Sequence, residues 1–91
     1  MPEYSKLFER ELVKFAQEWA TKNGLNHSQF ARLAYGNLPD AIGKWRRIRN
    51  ISGPINRPQS LSVFDICCLA QAVQKNISEL CFTVEQRLKK I

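Results

Sequence analysis

The stretch Asn37-Leu38-Pro39-Asp40-Ala41-Ile42-Gly43-Lys44-Trp45-Arg46-Arg47-Ile48-Arg49 limits what this chain can become more than any other. Pro39 has the fixed φ of a first helical residue, with Asn37 or Leu38 before it as the cap. On a 3.6-residue wheel Leu38, Ile42, Trp45 and Ile48 share one side, and Asp40, Gly43, Lys44 and Arg47 share the other. The spacing predicts a short helix over about 38–49, apolar towards a core and basic towards solvent. Such a helix suits a nucleic-acid groove.

The pattern on either side is also helical. Over about 3–22, Phe8, Leu12, Phe15 and Trp19 recur at i, i+4, i+7 and i+11, with Leu7, Ala16 and Ala20 beside them. This aromatic stripe reads as core, and Asn23-Gly24 supplies a left-handed stop. A second helix over about 27–35, capped by Asn26 or Ser28, buries Phe30, Leu33 and Ala34, while Ala31 lets another helix pass closely. Gly36 then gives a tight turn into the stretch above, so two short helices joined by a Gly-containing turn make a helix-turn-helix pattern. Residues 50–60, with Gly53, Pro54 and Pro58, read as a long loop. Ser62 and Asp65 form a capping box for a helix over about 62–74 that buries Val63, Ile66, Cys67, Ala70 and Val73. Ser78 caps a last helix, about 78–90, with the stripe Leu80, Val84, Leu88 and Ile91. That stripe serves either as a two-fold dimer contact or as packing against the first helix. No strand pattern or internal repeat is present. The expected fold is all-α, a compact five-helix bundle in one domain over 1–91.

Charge adds direction. The formal net charge is +6. Between Gly24 and Phe64 the basic residues Arg32, Lys44, Arg46, Arg47, Arg49 and Arg57 face Asp40 alone, which places +5 of the +6 in the middle. A basic centre between balanced ends is the footprint expected for a polyanion, or else a solvated basic loop. Cys67, Cys68 and Cys81 lack a C-x-x-C spacing, and His27 is the single histidine, so neither a disulfide framework nor a metal site is expected. Cys67 and Cys81 read as small core residues. No apolar run has membrane-spanning length, which points to a cytoplasmic protein. No paired-carboxylate, Cys–His or phosphate-loop arrangement suggests an enzyme, and no cofactor is implied. His27 reads as a surface or cap residue within reach of phosphate, and Trp45 as core.

The order of the pieces resembles the Cro/C1-repressor-type (XRE-like) helix-turn-helix family, whose lambda-repressor-like domains pack five helices and bind DNA operators. The matching residues are Phe30-Ala31, Ile42 and Trp45, Arg57-Pro58, Leu69-Ala70-Gln71-Ala72-Val73 and Ile77-Ser78-Glu79-Leu80, within a span from Leu7 to Phe82. The chain departs from the family where Arg46 and Arg47 replace an acidic residue and a glycine, and where the next loop is longer. His27-Ser28-Gln29 also leaves the phosphate-contacting register of the second helix open between His27 and Gln29. The resemblance implies that the third helix meets base edges through Asp40, Gly43, Lys44 and Arg47. For Gly43 the alternative is close packing against another helix; for Asp40 it is a favourable charge at a helix N-terminus. Phosphate contacts are expected from Ser28, Gln29, Arg46, Arg49, Asn56 and Arg57. The implied partner is double-stranded DNA, bound by a homodimer joined through Leu80, Val84, Leu88 and Ile91, in a small repressor-like transcriptional regulator. An antitoxin that binds a toxin and a protein-interaction module that has lost DNA are the competing expectations.

Overall fold

The computed structural model describes residues 2–36, 38–49 and 60–90. Five helices follow in order: α1 (Pro2–Lys22), α2 (His27–Tyr35), α3 (Ala41–Arg49), α4 (Val63–Ala72) and α5 (Ile77–Lys89). There is no strand among the described residues. The Cα radius of gyration, 12.6 Å, is close to the roughly 12 Å of a compact chain this long.

Two turns of the same build set the helix boundaries. α1 ends with Gly24 at φ 70, and α4 ends with Gln74 at φ 62. In each, an amide beyond the left-handed residue reaches back to close the helix, Leu25 N–H to Ala20 O and Lys75 N–H to Ala70 O, both at 2.9 Å. An asparagine then opens the next helix. Asn26 caps α2 in a box with Gln29, and Asn76 caps α5 in a box with Glu79. The expected cap Ser78 is therefore replaced by Asn76, two residues earlier, because Asn76 has the extended backbone of a cap and Ser78 is already helical. The Ser62–Asp65 box on α4 is as expected.

α2 packs on α3 and α4, while α1 lies along α5. Trp19, Phe30 and Trp45 bring α1, α2 and α3 together, with ring centroids 6.1 and 4.8 Å apart along that series. Arg10 of α1 donates to Ile48 O at 2.8 Å, satisfying a carbonyl in the last turn of α3. Glu9 accepts from Leu61 N–H just ahead of α4. Arg87 of α5 donates to Glu11 at 2.7 Å and grips Glu18 with two further bonds of 3.0 and 2.9 Å, its guanidinium lying over Phe15. Since Glu11 is buried, this is more than a surface pair: removing Arg87 strands a desolvated carboxylate.

Several burial expectations are corrected. Leu7, Leu33, Val63 and Cys67 are exposed. Val13 and Tyr35 are buried instead, and Ala31 is buried as its small size suggested. Leu80 (1% exposed) and Val84 (0%) belong to the core, and Leu88 packs against it. α1 covers the stripe that was open to a dimer reading, so Leu80 and Val84 cannot face a second copy in this fold. Ile91 lies outside the described residues.

Candidate functional site

α3 begins at Ala41 rather than near Leu38, because Pro39 and Asp40 form a turn in which Ala41 N–H reaches Leu38 O. The proposed cap Asn37 lies outside the described residues. With Ala41 as first helical residue, the side chains that α3 buries are those of Ala41, Trp45 and Ile48, and Gly43 is buried as well. Leu38 and Ile42, placed on the apolar side by their spacing, are exposed. The wheel was right in period, but the inward face turned towards the small Ala41. Ile42 is thereby swung out and Lys44 swung in.

The four expected base-reading residues consequently fall into different places. Arg47 is exposed and pairs with the exposed Asp40 at 2.9 Å. Gly43 is buried, and a Cβ built there would fall on the Asp40 carboxylate. Its close neighbour is thus the chain's own turn, not another helix. Lys44 leaves the outward face: its ammonium is 3.3 Å from Asp65 and lies over the Tyr35 ring, 5.8 Å from the centroid. That is a correction to its expected position, and Asp65 is the reason.

Asp65 was legible only as a capping residue. It is 0% exposed. Oδ1 accepts from the Tyr35 hydroxyl at 2.9 Å and faces Lys44, while Oδ2 accepts from both the amide and the hydroxyl of Ser62 at 2.9 Å. Burial pushes this carboxyl's pKa up, but the bonds from Ser62 and Tyr35 and the charge of Lys44 outweigh it and hold the group below the usual carboxylate range. The Tyr35 hydroxyl is driven far above its ordinary value by burial and by donating to Asp65.

Among the expected phosphate contacts, Arg46 is exposed and has no partner among the described residues. Ser28 and Gln29 are exposed at the start of α2, though the Gln29 carbonyl is occupied by Asn26 N–H at 2.9 Å. Arg49 is half-buried with its guanidinium over Trp45, 5.6 Å from the ring centroid. Asn56 and Arg57 lie outside the described residues. Comparisons with protein-family models, curated proteins and solved structures gave no match. The site must be read from its own chemistry.

Two further features are not visible in helical spacing. His27 accepts from the buried Trp45 indole through Nδ1 at 3.3 Å, and burial, helped by Arg49, lowers its pKa. His27 is exposed, as expected of a surface residue, and is also tied to the core through Trp45. Beside the turn, an open cleft of about 480 Å³ carries Arg32, Leu38, Asp40 and Ile42. It adjoins a shallow groove of about 610 Å³ between α2 and α4 in which Leu33 (53% exposed), Leu38 and Phe64 (52%) form apolar walls. The exposure of Leu33 is the signal for this groove, and helical spacing alone conceals it. No group of three or more metal-ligating side chains occurs among the described residues, and no described helix is long and apolar enough to cross a membrane.

Proposed function

We propose that α2, the turn at Gly36 and α3 act as a helix-turn-helix, and that the protein is a small non-enzymatic transcriptional regulator binding double-stranded DNA with α3 in the major groove. The carrying observation is the exposure of Arg46 and Arg47 on one side of a helix whose other side is fixed by Trp45 and Ile48 in the core. Guanidinium groups on a rigid element suit phosphate and guanine recognition. Arg47 pairs with Asp40 at the surface, a class of contact worth about 0–1 kcal/mol. Arg46, with the exposed Arg32 and Ser28 of α2, supplies backbone contacts.

The test is fluorescence anisotropy with random duplex DNA across a salt series. Binding that weakens steeply with salt, with a slope lowered by about 0.9 in Arg46→Ala, supports the reading. Absence of binding at low salt sinks it. The exposed Leu33, Leu38 and Phe64 then favour the second reading, a protein-binding module of the antitoxin or interaction type.

A further inference from the structure

Resting on the DNA reading, we propose that Asp65 is a specificity-determining positioning residue, which keeps the charge of Lys44 off the DNA-facing side of α3. One buried carboxylate gathers donors from several parts of the chain. Tyr35 ends α2, Lys44 lies within α3, and Ser62 caps α4, so one group joins three elements. All three donors, and the Ser62 hydroxyl as well, are satisfied by the same two oxygens. The Lys44 side chain is drawn across the Tyr35 ring towards this anion. Yet it remains at the edge of the bundle, its side chain 23% exposed, and it stands one helical turn before Arg47 on α3. Its four-carbon stem is flexible, so the ammonium is free to swing away from Asp65 once that anion is lost.

This placement bears on selectivity. Nonspecific affinity for DNA grows with the number of phosphates neutralised, whereas the biologically useful quantity is the ratio of specific to nonspecific binding. A lysine is a flexible point charge that takes any phosphate within reach. Holding it inward leaves α3 to dock through Arg46 and Arg47, whose planar guanidinium groups impose geometry. Asp65 does this without touching DNA. Replacing it with the isosteric asparagine removes the anion that retains Lys44, and the ammonium moves to solvent and to phosphate.

The experiment compares wild type, Asp65→Asn, Lys44→Met and the double variant on random duplex DNA over a salt series, with helicity followed by circular dichroism. Asp65→Asn is expected to bind random duplex roughly 5–10-fold tighter near 0.1 M salt, with a slope steeper by about 0.9, the contribution of one added phosphate contact. Lys44→Met alone leaves the slope unchanged, and in the Asp65→Asn background it restores the wild-type slope. A merely structural role for Asp65 predicts weaker binding that Lys44→Met does not reverse. An unchanged slope in folded Asp65→Asn, or a shallower one in Lys44→Met alone, overturns the proposal while the DNA reading stands. If no variant binds DNA at low salt, both fall together. Should Asp65→Asn fail to fold, acetic anhydride labelling of the wild type decides the matter by peptide mass mapping. Lys44 is expected to react several-fold more slowly than the exposed Lys14, with no added protection by duplex. Equal reactivity, or new protection on adding DNA, overturns the proposal.

Discussion

Leu80→Ala distinguishes a bundle closed on itself from one that needs a second copy. Leu80 is 1% exposed and belongs to the core, beside the equally buried Val84. Truncating a leucine in such a place removes transfer energy and leaves a cavity, at about 2–5 kcal/mol. A domain of this length has roughly 5–13 kcal/mol in total, so the variant should lose a large share of its stability. With a urea slope of about 1 kcal/mol/M, the midpoint should fall by about 2 M or more. The decisive control is protein concentration. If α5 packs on α1 of its own chain, the midpoints of wild type and variant are independent of concentration. If the stripe formed a folding-obligate dimer, each tenfold dilution would lower apparent stability by about 1.4 kcal/mol. Urea unfolding followed by circular dichroism, at two concentrations a hundredfold apart, measures both quantities. A Leu80→Ala chain that stays folded within about 1 kcal/mol of wild type, with a wild-type midpoint that drifts on dilution, would refute the packing argument.

Two other outcomes follow from single residues. Gln74 holds a left-handed conformation at φ 62 in the same kind of turn that uses Gly24 after α1, so Gln74→Gly should raise the thermal midpoint, by an amount equivalent to about 1 kcal/mol; an unchanged or lower midpoint counts against the strain. His27 must be neutral at Nδ1 to accept from Trp45, and its folded pKa lies below the ordinary value of 6.5. The unfolded chain therefore binds the proton first, so the stabilisation is complete above about pH 6.5. It erodes as pH falls from there and is gone below the folded value, a loss of about 1 kcal/mol for one neutral hydrogen bond. Urea midpoints read by tryptophan fluorescence should show this slope in wild type and lose it in His27→Gln; identical pH profiles would refute it.

The site and the fold differ in how far the sequence discloses them, and the reason is the range of the interactions. Helix existence rests on local terms: the 3.6-residue period of Leu12, Phe15 and Trp19, the left-handed Gly24, the Ser62–Asp65 box. Each acts within a turn or so of chain, so the number, order and approximate extent of five helices could be read directly. Asn76 over Ser78 was a local choice too, settled by which residue takes the extended backbone. The rotation of α3 was not local. Its wheel left the inward direction open by a fraction of a turn, and contacts with Phe30 and Arg10 from other helices selected Ala41, Trp45 and Ile48. The same rotation exposed Ile42 and sent Lys44 to a carboxylate more than twenty positions away in the chain. Likewise the stripe of α5 announced that it must be covered, and only packing on α1 named the cover. Five amphipathic helices and a basic middle follow from local sequence; which faces and charges turn outward follows from packing, because burial and ion pairing depend on neighbours that are distant along the chain.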